Sequence, residues 1–125
     1  MTCVTSRWKY LKSQLNNLPP EEFWNKYEET PEAQMLDVRT DKEREEGIFP
    51  QAIHVNFFGD SFWDQLESLD KEGIYFVYCN TGRRSLRVST YMKNSGFKHI
   101  FNLDDGVGEF LREKMTPVSQ GRSRL

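Results

Sequence analysis

The feature that most constrains the fold is an unbroken apolar run, Ile74 to Cys79, within this chain of 125 residues. Six residues are far too few to cross a bilayer, because a membrane-spanning helix needs about 20 apolar residues. A run of this length without a polar interruption is instead typical of a parallel strand that is covered on both faces. Such a strand requires helices packed on the two sides of its sheet.

Helix-like and strand-like segments alternate along the chain. Strand patterns cover residues 34–38, 52–57, 74–78 and 98–103, and helix patterns cover residues 21–28, 62–69, 85–94 and a last stretch from Gly106 to about Met115. The acidic residues 41–46 are compatible with one or two further helical turns that end at Gly47. This order predicts a three-layer α/β domain, with a parallel sheet of four or five strands and helices on both faces.

The two ends of the chain are predicted to lie outside this domain. Apolar side chains recur near the start at helical spacing, at Trp8, Leu11, Leu15 and Leu18. A Pro19-Pro20 pair would end this helix. The last residues combine Pro, Gly, Ser and Arg, a composition typical of a mobile tail. We therefore expect a helical extension over residues 1–19, the domain over 20–115 and a flexible tail over 116–125.

Charge is unevenly distributed, although 17 basic and 19 acidic side chains give a net charge of only -2. Residues 21–46 include ten acidic and four basic side chains. Residues 79–98 include no acidic side chain and five basic ones, Arg83, Arg84, Arg87, Lys93 and Lys98. The second stretch is either an anion-attracting region or a solvated helix face. The near-neutral total, without aromatic residues between the arginines, argues against nucleic-acid binding.

The two cysteines, Cys3 and Cys79, are too few for a disulfide framework. Neither has a Cys or His neighbour at metal-ligand spacing, and His54 and His99 are distant in sequence, so we expect no metal and no other cofactor. No secretory leader is evident in the first 18 residues, where basic side chains are scattered and no apolar block occurs. These observations predict a cytoplasmic protein with free thiols and no membrane partner.

The chemistry is predicted at Cys79, which ends the apolar strand and begins the loop Cys79-Asn80-Thr81-Gly82-Arg83-Arg84-Ser85. Ligand sites of open α/β sheets lie at the carboxyl ends of the strands. A turn into a helix directs backbone N–H groups and the positive end of the helix dipole to one point. Together with two arginines, these groups stabilise a nucleophilic thiolate and bind an anion. The competing interpretation is that Cys79 is a small buried side chain at the end of a core strand.

The spacing of cysteine and arginine separates two reaction classes. Tyrosine-phosphatase loops have five residues between the two, whereas four residues separate Cys79 from Arg84 here. The shorter loop suits a sulfur atom carried on the cysteine and disfavours phosphatase or arsenate reductase chemistry.

Three motifs lie in register over about residues 20–110. The first is the loop pattern Cys-x-x-Gly-x-Arg-Ser, with Cys79, Gly82, Arg84 and Ser85. The upstream motif contains Asp37, Val38, Arg39, Glu43, Gly47, Pro50 and Ala52. The downstream motif contains Gly96, Phe97, Leu103 and Gly106. Together the three motifs resemble those of a single-domain rhodanese, a sulfurtransferase. The sequence departs from the family pattern at Ile48, Gln51 and Asp105.

The resemblance implies a rhodanese-like fold and a two-step exchange through a persulfide of Cys79. A small anionic donor, such as thiosulfate or a persulfide, would supply the sulfur, and a thiol, cyanide or a protein would accept it. The implied substrate-binding residues are Asn80, Thr81, Gly82, Arg83, Arg84 and Ser85. We expect Asp37 and Arg39 to form an ion pair that supports the site.

A docking module is the main alternative function. In that case the domain would bind a partner, or relay sulfur to it, without efficient thiosulfate turnover. Trp8, the N-terminal helix and the basic tail would provide the contacts. Cys3 is expected to be a bystander.

Overall fold

The computed structural model describes residues 16–117, which form one parallel sheet of five strands with helices around it. The strands are β1 (Asn16–Leu18), β2 (Gln34–Asp37), β3 (Ile53–His54), β4 (Ile74–Tyr78) and β5 (His99–Leu103). Their spatial order is β1-β5-β4-β2-β3, and every neighbouring pair is parallel. The apolar strand β4 is therefore central, and the carboxyl ends of all five strands meet at one edge.

Residues 16–117 also form four α-helices and one 3-10 helix. The α-helices are α1 (Pro20–Glu28), α2 (Phe62–Glu67), α3 (Arg83–Asn94) and α4 (Glu109–Arg112), and the 3-10 helix spans Glu43–Glu46. Pro20 begins α1, where its missing N–H costs no hydrogen bond. Within residues 16–117, no helix combines the length and the apolar character needed to cross a membrane.

Side chains of β4 alternate between two separate cores. Tyr75, Val77 and Cys79 belong to a core that also contains Phe62 of α2 and Met92 of α3. On the opposite face, Phe76 and Tyr78 of β4 belong to a second core, together with Phe23 of α1 and Leu111 of α4. The predicted three-layer α/β fold, with helices on both faces of a parallel sheet, is confirmed.

The helix predicted up to Leu18 is wrong at its carboxyl end, where the structure has strand β1. Asn16 to Leu18 pair with Phe101 to Leu103 of β5. The side chains add to this pairing, since Asn102 Nδ2 donates a hydrogen bond to Asn17 Oδ1 at 2.8 Å. Pro19 also disfavours a helical conformation at the residue before it. The rest of the predicted extension, residues 1–15, lies outside the described residues.

Several element boundaries also differ from the prediction. The strand predicted over residues 52–57 contains only Ile53 and His54. Turns end it on both sides, because the Ala52 N–H donates to Phe49 O and the Gly59 N–H to Asn56 O. Helix α2 ends at Glu67 and helix α4 at Arg112, both earlier than predicted, whereas α3 begins two residues earlier, at Arg83.

Thr116, the first residue of the predicted tail, is bonded to the domain. It forms an antiparallel bridge with Ile48, in which each N–H donates to the other residue's carbonyl at 2.8 Å. Residues 118–125 lie outside the described residues.

We predict that Asn102→Ala weakens the attachment of β1. Asn102 is buried and binds Asn17, so its removal should lower the free energy of unfolding by about 1–3 kcal/mol. Hydrogen exchange of the Asp104 amide, which donates to Leu18 O at 2.9 Å, should accelerate. Urea unfolding and amide exchange measure the two effects. Asn94→Ala, at the exposed end of α3, is the control, and equal losses in both variants would contradict the prediction.

Candidate active site

Cys79 lies at the carboxyl end of the central strand, directly before the loop that leads into α3. Its side chain is fully buried. The Gly82 N–H donates to the Cys79 sulfur at 3.1 Å and the Ser85 N–H at 3.3 Å. Because α3 has twelve residues and begins at Arg83, the sulfur also lies at the positive end of a full helix dipole. This environment stabilises negative charge on the sulfur.

The loop after Cys79 turns through a left-handed residue. Gly82 has φ 87° and is the N-cap of α3, so its carbonyl accepts the Leu86 N–H at 3.2 Å. The Ser85 hydroxyl donates to the same carbonyl at 3.3 Å. Glycine adopts this conformation without steric cost, which explains its place between the nucleophile and the helix.

A second loop, residues 104–108, packs tightly against the first. The Val107 N–H donates to the Cys79 carbonyl at 3.1 Å. Gly106 has φ 81°, and a Cβ at this position would lie 2.2 Å from the Asn80 carbonyl oxygen. Asp105, one of the departures from the family pattern, has φ 64°, a left-handed conformation that Asp tolerates better than most residues. The close approach of the two loops is therefore kept despite the missing glycine.

Arg84 is held by a carboxylate that lies 41 residues away in the sequence, so no local pattern connects the two. Its Nη1 and Nη2 donate to Glu43 Oε1 at 2.6 Å and Oε2 at 2.7 Å. This bidentate hydrogen bond is the largest contribution to a raised pKa of Arg84, and the charge of Cys79 contributes in the same direction. The cation predicted to bind the donor's anion is thus paired with Glu43 in this structure.

Glu43 is positioned by its own local structure, the first turn of the 3-10 helix. The Thr40 N–H donates to Glu43 Oε1 at 2.9 Å, and the Glu43 N–H donates to Thr40 Oγ1 at 3.1 Å. This reciprocal arrangement is a capping box. The hydrogen bond from Arg84 outweighs partial burial and lowers the pKa of Glu43 to about 2. The carboxylate is therefore charged at neutral pH.

An exposed aromatic ring covers the outer side of Arg84. The Arg84 guanidinium carbon lies 5.3 Å from the centre of the Phe58 ring, and Phe58 is 67% exposed. Phe58 continues into a cluster with Phe57, Phe62 and Trp63, of which Trp63 is 45% exposed. No pattern in the sequence indicates a role for Phe58 at the site.

Asp37 and Arg39 form the expected ion pair, fully buried below the end of β4. Arg39 Nη2 and Nε donate to the two Asp37 carboxylate oxygens at 2.9 and 3.0 Å. The Tyr78 hydroxyl donates to Asp37 Oδ2 at 2.9 Å, and burial raises the pKa of this hydroxyl well above its ordinary value. Because Tyr78 directly precedes Cys79, the pair holds the end of the strand that carries the thiol.

The remaining loop residues differ in exposure. Asn80 is half-buried, and its Oδ1 atom is buried without a hydrogen-bond partner. Thr81 and Arg83 are exposed, as is Arg87 one turn further along α3. The structure thus directs the Gly82 and Ser85 N–H groups of this loop to the buried sulfur, and Arg84 to Glu43.

Comparison with known proteins identifies the family. The family model for the rhodanese-like domain matches residues 19–113. The chain therefore belongs to the rhodanese-like domain family, and the resemblance predicted from the three motifs is confirmed.

Individual relatives include sulfurtransferase-like and other proteins. YtwF of Bacillus subtilis (strain 168), provisionally named a sulfurtransferase, is 39% identical over 82 residues, which cover 66% of this chain and 77% of YtwF. The tRNA uridine(34) hydroxylase of Legionella pneumophila (strain Paris) is 35% identical over 75% of this chain, which spans only 38% of that protein. The crystal structure of SSP1007 from Staphylococcus saprophyticus has a TM-score of 0.70 and 27% identity, covering 82% of this chain and 99% of SSP1007. YtwF supports sulfur transfer in general terms. The hydroxylase is named for a different reaction, and SSP1007 supports the fold.

We predict that Gly106→Ala disrupts the contact between the two loops. The new Cβ would meet backbone atoms of Asn80 and Thr81 at 2.2 to 2.7 Å, and φ 81° is unfavourable for alanine. The free energy of unfolding, measured in urea, should fall by at least about 2 kcal/mol. Gly108→Ala is the matched control, since a Cβ there has no atom within 4 Å. Comparable stability of the two variants would be evidence against this packing.

The Glu43–Arg84 pair should make stability depend on acid pH. A carboxylate whose pKa falls from 4.5 to about 2 on folding stabilises the native state fully above pH 4.5 and loses this contribution as the pH falls toward 2. Glu43→Gln should therefore be less stable than the native protein near neutral pH, by roughly 1–2 kcal/mol. The difference should shrink as the pH falls from about 4.5 toward 2. Urea unfolding at each pH measures it, and a constant difference would contradict the assignment.

Proposed function

We propose that this protein is a rhodanese-type sulfurtransferase that carries sulfur as a persulfide on Cys79. The observation that carries the proposal is the pair of backbone N–H groups, from Gly82 and Ser85, directed at the Cys79 sulfur where α3 begins. A thiol buried only for packing does not require two donors at a helix N-terminus. The same groups stabilise a thiolate before transfer and a persulfide after it.

The reaction consists of two sulfur displacements. The Cys79 thiolate attacks the outer sulfur of the donor, so that a new S–S bond forms while the donor's own bond breaks. With thiosulfate the products are the Cys79 persulfide anion and sulfite, which leaves with the electron pair. An acceptor such as cyanide then attacks the outer sulfur of the persulfide, giving thiocyanate and regenerating the thiolate. No electrons are gained or lost overall, so the exchange requires no cofactor.

The surrounding residues have distinct roles in this proposal. The loop from Asn80 to Ser85 surrounds the transferred sulfur and contacts the donor. Asp37 and Arg39 act through Tyr78, because they fix the end of the strand before Cys79. A cytoplasmic location, small sulfur donors and acceptors, and the absence of a nucleic-acid partner remain predictions from the sequence.

A sulfur-relay or docking role is the second candidate, and two observations favour it. The Cys79 side chain is fully buried, so an acceptor must displace part of the loop to reach it. Phe58, which lies beside Arg84, and Trp63 are large exposed apolar side chains, which suits contact with a protein surface. In this case sulfur would pass to a bound protein rather than to a small acceptor.

The mass of the intact protein tests the persulfide directly. A Cys3→Ser background leaves Cys79 as the only thiol in the chain. Incubation with thiosulfate, and separately with an organic persulfide, should add one sulfur, about 32 Da, that cyanide removes. The added mass should be absent when Cys79→Ser is combined with Cys3→Ser. Absence of the adduct with both donors would refute the proposal, whereas an adduct that small acceptors do not remove would favour the relay.

A further inference from the structure

The Arg84 guanidinium, the cation in the loop after the nucleophile, forms an ion pair with Glu43. We propose that Glu43 is a specificity-determining residue, which makes the site favour sulfane donors of low charge, such as an organic hydropersulfide, over the thiosulfate dianion. This inference rests on the proposed function and names the donor class of the same site.

Both terminal nitrogens of the Arg84 guanidinium are already hydrogen-bonded. Its two terminal nitrogens each donate to a different Glu43 oxygen, at 2.6 and 2.7 Å. A bidentate pair of this kind uses the face of the guanidinium that would otherwise bind two oxygens of an oxyanion. A thiosulfate anion would therefore have to displace Glu43, or approach the thiolate with a carboxylate close by.

Displacement of Glu43 would break more than one interaction. The carboxylate also accepts the Thr40 N–H, as part of the capping box that begins the 3-10 helix. The Phe58 ring lies against the guanidinium and limits the directions in which Arg84 can turn. The pair is about four-fifths excluded from solvent, with exposures of 20% for Arg84 and 24% for Glu43, so salt screens it less than an exposed pair.

Two other basic side chains near the site are also directed to carboxylates. Arg39 is fully buried against Asp37, and Arg44 Nε lies 3.5 Å from Asp37 Oδ2. Arg83 is exposed, so salt screens its effect on a bound donor. The described residues around Cys79 therefore provide backbone N–H groups for a single negative charge on sulfur, with Arg84 neutralised beside them.

A hydropersulfide fits this electrostatic environment. In its protonated form, RS–SH, the sulfane end carries no charge. The Cys79 thiolate attacks the terminal sulfur, the RS–SH bond breaks, and a new bond gives the Cys79 hydropersulfide. The leaving RS⁻ takes the electron pair and is protonated by water. Only one negative charge is present throughout, and the Gly82 and Ser85 N–H groups are available for it.

Charge selectivity at Cys79 can be measured without sulfur transfer. In the Cys3→Ser background, Cys79 is alkylated with iodoacetate, an anion, and with the uncharged iodoacetamide. Glu43→Gln should raise the rate ratio of iodoacetate to iodoacetamide about fivefold, because one nearby negative charge is removed. Glu46→Gln is the matched control, since it removes the same charge from the same 3-10 helix at an exposed pair with Arg112. An equal rise in both variants, or none in Glu43→Gln, would overturn the inference.

Sulfur donors provide the second measurement on the same proteins. With Glu43 intact, the protein should form the Cys79 persulfide faster with cysteine hydropersulfide than with thiosulfate. In Glu43→Gln, the ratio of these two rates should fall about fivefold. A preference for thiosulfate in the native protein would overturn the inference. A shift in the alkylation ratio without persulfide from either donor would support Glu43 as a charge filter but refute the sulfurtransferase function. A folded protein whose Cys79 resists both alkylating reagents and gains no sulfur from either donor would overturn both proposals.

Discussion

The buried carboxylate of Asp37 joins the segments from which the site is built. Asp37 is the last residue of β2. Its carboxylate accepts two hydrogen bonds from the Arg39 guanidinium, one from the Arg39 N–H and one from the Tyr78 hydroxyl at the end of β4. Arg39 continues the connection, because Nη2 donates to Gly47 O at 2.8 Å and Nη1 to Glu43 O at 3.4 Å. These carbonyls lie at the two ends of the 3-10 helix. One buried ion pair thus positions the residue before Cys79 and the helix that carries Glu43, and losing either partner would leave an uncompensated buried charge.

The parts of the fold that sequence reasoning predicted are those with a strong local pattern. The unbroken apolar run and the alternation of helix and strand patterns indicate the sheet, its central strand and both covered faces. The loop from Cys79 to Ser85 follows from the same logic, since a strand end, a glycine and a helix start are adjacent in the chain. The family resemblance adds the Asp37–Arg39 pair, which is separated by one residue only.

The parts that were missed depend on contacts between distant residues. Strand β1 has three residues, and its pairing with β5 and the Asn17–Asn102 bond override a helical spacing of leucines. Glu43 and Arg84 are 41 residues apart, so no local pattern reveals that the first neutralises the second. The only signal in the sequence is that Glu43 belongs to the upstream motif and Arg84 to the loop motif of the same family. The left-handed conformation of Asp105 likewise follows from the neighbouring loop and not from its own preference.

The bridge between Thr116 and Ile48 connects the end of the described chain to the segment that supports the site. Ile48 follows Gly47 directly, and the Gly47 carbonyl is one of the two that Arg39 holds. The last described residues, 116 and 117, therefore lie next to the end of the 3-10 helix that carries Glu43. Loss of the bridge would remove two hydrogen bonds from the residue directly after Gly47. The end of the described chain is in this sense joined to the helix that carries Glu43, the residue that neutralises Arg84 beside the nucleophile.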